Sequence, residues 1–326
     1  MIDWQKFPKP AVALAPMADM SDLPFCLISK ELGARLMFRE MVSAEAVVRL
    51  NPKTLEMARF DEKERPLVQQ IFGARPDVMA EAARIIEERY QPDGIDINMG
   101  CPVYNIVSNF NGASLIRDPN RAAQIIKQMR AAVNVPISVK TRLGWEKDTD
   151  CLEFVKVLED AGASLISIHG RTKEQGYSGT ANWDRVGEAR KNTSLPLFVN
   201  GDITSPELAK QALARSGADG MLIGRAALGN PWIFKQIEDG LHGKPVELPT
   251  TSERIRIVRK HVAMHLARYG ERGTPLFRKH LAYYFKKELK NEFPQLDWTE
   301  IRSALVRVNN LEELEEILKK IEAEVA

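Results

Sequence analysis

The stretch PLVQQIFGARPDVMAEAARIIEERYQPDGIDINMG, residues 66–100, carries two apolar runs of strand length with one helical pattern between them. PLVQQIF (66–72) and DGIDINM (93–99) are short, rich in β-branched residues and bounded by Gly, Pro or Asp, as strands buried on both faces are. PDVMAEAARIIEERY (76–90) instead repeats its apolar residues at i, i+3, i+4 and i+7, and it opens on a proline, which suits the first turn of a helix. Strand, helix, strand in that order is a parallel crossover unit. The pattern extends in both directions through AVALA (11–15), ARLMFREM (34–41), PISVKTR (136–142), SLISIHG (164–170), PLFVNGD (196–202) and DGMLIG (219–224), with NRAAQIIKQMRAAV (120–133) a further helix. Eight such strands predict an α/β fold of the (β/α)8 TIM-barrel type. A doubly wound open sheet would more usually have five or six strands and an early glycine-rich turn, and no GxGxxG follows AVALA.

Beyond Gly243 the pattern changes. KPVELPT (244–250) reads as a linker, and SERIRIVRKHVAMHLARY, PLFRKHLAYYFKKEL, WTEIRSALVRV and LEELEEILKKIEAE read as helices, with Ser252 and Thr299 as expected N-caps. The sequence thus divides into a barrel, residues 1–243, and an all-α helical bundle, residues 244–326. Its net charge of +2 conceals an asymmetry. Residues 254–290 hold eleven Lys or Arg against Glu271 and Glu288, a net +9, whereas residues 291–326 carry a net −5. A block of that density points to a polyanion, or to a solvated helical face. No run of eighteen apolar residues occurs and MIDWQKFPKP is not a secretory signal, so the expectation is a cytoplasmic protein without a membrane segment. Cys26, Cys101 and Cys151 lie far apart with no CxxC, which disfavours a disulfide framework or a zinc site.

In a barrel of this kind the chemistry sits at the C-terminal ends of the strands. Those positions carry Pro16, Met17 and Ala18 after the first strand, Gln70 in the third, Asn98 and Cys101 at the fourth, Lys140 in the fifth, His169 and Arg171 at the sixth, Asn200, Gly201 and Asp202 at the seventh, and Gly224 and Arg225 at the eighth. Glycine and arginine after the last two strands suit a phosphate, because backbone N–H groups can come close and a guanidinium can fork onto the oxygens. An ammonium on an inward-facing strand, as at Lys140, needs a negative partner: a bound anion, a Schiff-base substrate, or a carboxylate such as Asp96. Cys101, between Gly100 and Pro102, stands on a loop as proton donor, nucleophile or inert thiol, whereas Cys26 and Cys151 read as packing residues. His169 reads as a ligand contact or as a partner for a carbonyl at the barrel top. His261 and His265 imitate metal spacing, but no acidic third ligand and no HExxH accompany them, and no metal is expected.

With these residues assembled, the chain resembles the tRNA-dihydrouridine synthases, FMN-dependent reductases built as a barrel followed by a helical bundle. The resemblance runs through APMA (15–18), EMVSA (40–44), QIFG (70–73), DGIDINMGCP (93–102), SVKTRLGW (138–145), HGRTKEQGYSGTANW (169–183), NGDI (200–203), DGMLIGRAALGNPW (219–232) and FRKH (277–280). It is closest to the bacterial subgroup related to the enzyme acting in the D-loop. It implies FMN held by Pro16, Met17, Ala18, Gln70, Lys140, His169, Asn200, Gly201, Asp202, Gly224 and Arg225. NADPH, or NADH, would be the reductant, and Cys101 would protonate C5 of a uracil whose C6 has received hydride. It implies that Asn98 and Arg171 meet the substrate uridine and that Arg278, Lys279 and His280 of a tRNA-binding helical domain grip the RNA, the protein acting as a monomer. Two positions depart from the family pattern. Tyr104 and Asn105 stand where a Lys or Arg is common shortly after the cysteine, and Asp19 stands where a glycine is usual. The alternatives are a flavin barrel oxidoreductase acting on a small pyrimidine-like molecule and a non-catalytic RNA-binding protein of the same fold.

Overall fold

In the computed structural model, which describes residues 1–285 and 296–325, eight parallel strands close into a barrel. They are β1 Ala11–Leu14, β2 Leu36–Ser43, β3 Leu67–Phe72, β4 Gly94–Met99, β5 Ile137–Arg142, β6 Leu165–His169, β7 Leu197–Asn200 and β8 Gly220–Ile223. β1 pairs with β8 at Ala11↔Gly220 through Leu14↔Ile223, which closes the ring. The (β/α)8 reading of the sequence is correct. The helix expected over 76–90 spans Pro76–Tyr90, with its proline in the first turn and Gln91 in the left-handed region at its end. The helix expected over 120–133 begins one residue earlier, at Pro119, because the Asp118 carboxylate accepts from Arg121 N and caps it there.

The interior and the outer layer are packed by different residues. Strand side chains pointing outward join the surrounding helices in one large apolar cluster, whereas Ala11, Ala13, Leu36, Phe38, Val68, Leu165 and Phe198 fill the barrel's lower interior. Trp4, ahead of the first strand, closes this floor, stacked on Phe38 at 6.3 Å and edge-on to Phe198 at 6.0 Å. With the bottom packed, the space left for a ligand is at the top.

The helical region comprises Thr251–Tyr269, Gly273–Tyr284, Trp298–Leu305 and Leu311–Val325. Its caps differ from those expected. Thr250 Oγ1 accepts from Glu253 N, so the first helix starts two residues early, and Asp297 rather than Thr299 caps the third. Hydroxyl and carboxylate two residues upstream win because each reaches the free N–H groups of the first turn. The region has its own apolar cluster, which also takes in Ile28 and Trp232 from the barrel.

Part of the +9 block is paired inside the molecule. Arg259 pairs with Glu315 and Glu322 at 2.9 and 2.6 Å, joining the first and last helices of the region. Lys260 pairs with Glu31, and Arg268 with Glu56. Lys286, Lys287 and Lys290 lie outside the described residues.

Candidate active site

The mouth of the barrel opens on a cavity of about 780 Å³. Pro16, Met17, Ala18, Gln70, Asn98, Cys101, Lys140, His169, Asn200, Gly201, Asp202, Gly224 and Arg225 all line it. Strand register explains the convergence. Asn98 faces Lys140 across β4 and β5, Arg142 faces His169 across β5 and β6, and His169 faces Asn200 across β6 and β7. Neighbouring parallel strands therefore deliver their last inward side chains at one level.

A chain of hydrogen bonds leads from the barrel interior to the thiol loop. Ser138 Oγ donates to Asp96 Oδ1 at 2.6 Å and Gln70 Nε2 donates to Asp96 Oδ2 at 2.7 Å. Asn98 Nδ2 donates to Gln70 Oε1 at 2.8 Å, and Asn98 Oδ1 accepts from the backbone N–H of Cys101 and Gly100. An acceptor-only carboxylate at one end fixes which way both amides point. Asp96 is fully buried, and that burial pushes its pKa up to about 6, against the pull of Gln70 and Ser138.

Two further contacts pin the loop. Arg142, 3 % exposed, donates to Gly100 O at 2.7 Å and to the carbonyls of Thr172 and Gly176, joining the cysteine loop to the loop after β6. Gly112 sits at φ +61, and a Cβ there would come within 2.9 Å of Cys101 O. Cys101 itself is partly exposed and reduced, and one helical turn, Tyr104–Val107, follows it. That turn is not legible in the sequence, and no side-chain cap supports it.

Beside the thiol loop the site is cationic. Lys140 forms no ion pair among the described residues, and its half-buried ammonium faces the cavity. The salt bridge to Asp96 allowed by the sequence is absent, since that carboxylate is occupied one layer below by Gln70 and Ser138. Burial, reinforced by Arg142, lowers the Lys140 pKa to about 8. His169 is 7 % exposed, and burial followed by the charge of Lys140 holds it well below 6.5, so it is neutral. Its Nδ1 is buried without a hydrogen-bond partner.

The loops after β7 and β8 form a hollow. Gly201 takes φ +113, and a Cβ there would press on Ala181 and on His169 Nε2 at 3.0 and 3.2 Å. A Cβ at Gly224 would project into the space in front of Ala15 and Met17, 3.7 Å from each. Arg225 is exposed above this hollow and lies over the Tyr177 ring at 4.5 Å. An orphaned ring nitrogen, an unpaired ammonium and a glycine-lined hollow fit a hydrogen-bonding, partly anionic ring system that carries a phosphate, such as a flavin mononucleotide.

Several expected positions are elsewhere. Arg171 is 2 % exposed; its guanidinium pairs with Asp202 at 2.7 Å and donates to the carbonyls of Ser178 and Gly179, so it braces the loop and does not reach a substrate. Asp202 Oδ2 is correspondingly occupied by Arg171 and Ala181 N, its Oδ1 lies 3.9 Å from Arg225, and its backbone takes φ +57. His280 is 1 % exposed, packed between the helical region and the barrel, and cannot grip RNA from there. Arg278 donates to the carbonyls of Val308 and Arg307, and Lys279 to the carbonyl of Asp19. Asp19 adopts φ +60, the backbone conformation that explains a glycine preference there, and Glu40 holds its N–H at 2.9 Å.

Sequence reasoning missed Met41 and Tyr177. Met41 enters the cavity because β2 shifts register between Arg39 and Val42, an irregularity that strand periodicity does not announce. Tyr177 lies in the loop after β6, edge-on to His169 and beneath two guanidinium groups, Arg142 and Arg225. It is 57 % exposed, and with Tyr104 and Phe110, 79 % and 64 % exposed, it supplies an exposed aromatic surface.

Residues 13–322 match the family model described as dihydrouridine synthase. The chain is 37 % identical over 313 residues, covering 94 % of this chain and 85 % of the relative, to "Probable tRNA-dihydrouridine synthase 1" of Synechocystis sp.. It is 39 % identical over 303 residues, covering 90 % and 89 %, to "tRNA-dihydrouridine synthase B" of Pseudomonas syringae pv. tomato. Among solved structures, histamine dehydrogenase from Rhizobium sp. 4-9 superposes with a TM-score of 0.57 at 14 % identity, covering 78 % of this chain and 48 % of that one. At that identity the likeness is one of fold.

Proposed function

The chain belongs to the dihydrouridine synthase family, and from that premise we propose that it reduces uridine in tRNA to 5,6-dihydrouridine with FMN as its bound cofactor and NADPH as reductant. The observation that carries this reading is the placement of Cys101 at the rim of a cavity that Lys140, on the neighbouring strand, and His169 also line. Bound flavin supplies the hydride that C6 of the uracil accepts. Cys101 Sγ–H then delivers the proton to C5, a role that suits a partly exposed, reduced thiol held at its backbone by Asn98.

The remaining residues bind and orient. Lys140 offsets negative charge on the cofactor ring, and His169, neutral, offers its unpartnered Nδ1 as a hydrogen-bonding group. Gly201, Gly224 and the backbone at Asp202, with Arg225, take the phosphate. Gln70, Met17 and the Pro16–Ala18 turn shape the space between. The uridine must leave its stack to enter the mouth, which costs a few kcal/mol, and the exposed rings of Tyr104, Phe110 and Tyr177 offer stacking in return.

The test uses the full-length protein with an unmodified tRNA transcript and NADPH, with dihydrouridine mapped by mass spectrometry. Dihydrouridine at a defined position, with consumption of NADPH, supports the reading. Reduction of free uridine or a small pyrimidine with none in the transcript rejects it.

A further inference from the structure

Asp22, His261, His265 and His280 come together from three helices, and one ligand atom of each lies within 4.8 Å of all the others. His261 and His265 are one turn apart on Thr251–Tyr269, and His280 comes from Gly273–Tyr284. Asp22 is the N-cap of the barrel's first helix, Leu23–Glu31. All four are buried, at 0, 0 and 1 % exposure for the imidazoles and 3 % for the carboxylate.

These imidazoles are poorly satisfied as they stand. His261 Nε2 and both nitrogens of His265 and of His280 are buried with no hydrogen-bond partner. Each such group gives up hydrogen bonds it would make in water, so a cluster packed only for its ring contacts would be better served by phenylalanine or leucine at these positions.

We infer that Asp22, His261, His265 and His280 bind a divalent transition metal ion, zinc by ligand type and number, in a closed four-coordinate site that ties the helical region to the barrel. Three imidazoles and one carboxylate suit tetrahedral zinc, whose ligand atoms at about 2.0–2.1 Å from the metal stand roughly 3.4 Å apart, so side-chain adjustments of about an ångström close the site. Outer partners are in place. Tyr284 OH meets His261 Nδ1 at 3.1 Å, which leaves Nε2 to face the metal. Tyr269 OH donates to Asp22 Oδ2 at 3.0 Å and Phe25 N to Asp22 Oδ1 at 3.1 Å, which orients the carboxylate. The four protein donors fill the coordination sphere, so the role is structural.

The experiment dialyses the full-length protein against EDTA, adds a stoichiometric amount of ZnCl2, desalts, and measures zinc by mass spectrometry alongside the melting temperature. Wild type is expected to keep about one zinc per chain and to melt about 5–10 °C higher than its zinc-free form. Asp22→Asn, which preserves the helix cap, and His265→Gln are expected to keep less than about a tenth of that zinc while their zinc-free forms melt close to zinc-free wild type. Wild type that leaves the column without zinc, or variants that retain as much as wild type, overturn the inference. A crystal of the zinc-loaded protein measured at the zinc absorption edge requires no variant: an anomalous peak between the four side chains supports the site, and a peak elsewhere, or none, overturns it.

Discussion

Asn98 Oδ1 lies 2.9 Å from the backbone nitrogen of Cys101, so a strand side chain holds the loop that displays the thiol. The same amide is oriented by Gln70, and Gln70 by Asp96. What the site needs from Asp96 is therefore an acceptor aimed at Gln70. Asp96→Asn can present its oxygen to Gln70 and its NH2 to Ser138, and turnover should stay within a few-fold of wild type. Asp96→Leu removes the acceptor, frees both amides to turn, and should lower turnover about 10²-fold, the effect of misplacing a reacting group by about an ångström. Comparing the two variants on tRNA, with bound flavin measured by absorbance, separates hydrogen bonding from charge.

Cys101→Ala should lower dihydrouridine formation by about 10²–10⁴-fold, the usual contribution of a positioned proton donor. The thiol lies at the rim, away from the Gly201 and Gly224 hollow, so flavin content should be unchanged. An unchanged rate on tRNA would remove Cys101 from the mechanism.

Lys140 supplies a pH dependence whose sign is fixed. Its folded pKa, about 8, lies below the ordinary 10.5, so between those values the unfolded chain binds more protons than the folded one. Without an anion in the cavity, stability should rise with pH from about 8 to 10.5, and Lys140→Met should flatten that rise in urea titrations. Affinity for an anionic ligand should move oppositely and weaken as pH passes 8.

The pair Arg39–Glu64 is nearly solvent-free, at 1 % and 0 % exposure, with Arg39 Nη1 donating to both carboxylate oxygens at 2.9 and 2.8 Å and Nη2 to the carbonyls of Met57 and Arg59. Glu64→Ala strands a buried guanidinium and should cost about 3–5 kcal/mol in denaturant unfolding. Replacing both residues with apolar ones of similar volume should cost far less.

The parts of this molecule legible in its sequence are those set by local period. Each strand is a continuous apolar run, and position at a strand's end was enough to bring Gln70, Lys140, His169 and Asn200 to one cavity. Contacts between distant segments were not legible. Arg171 reads as a free cation after a strand until the loop folds back and sets Asp202 against it. Arg259 reads as part of a free positive surface until the last helix brings Glu315 and Glu322 to it. His280 reads as surface because it follows Arg278 and Lys279, and only the packing of that helix on Phe25 buries it. The side chain that completes the histidine cluster, Asp22, stands in the first helix turn of the barrel, where no spacing rule connects it to the histidines.

Gly229 has φ +71, and a Cβ on it would lie 2.0 Å from the carbonyl oxygen of Tyr283. The main chain after the last strand thus presses directly on the main chain of a helix far ahead of it, and Arg254 Nη1 donates to Gly229 O beside that seam. Residues 244–248 are exposed and look easy to cut, yet a protease nicking there would leave two fragments that co-elute in gel filtration. A gene divided at the same point would give halves with raw apolar faces, Ile28 and Trp232 on one and Phe277 and Leu281 on the other, that precipitate unless expressed together.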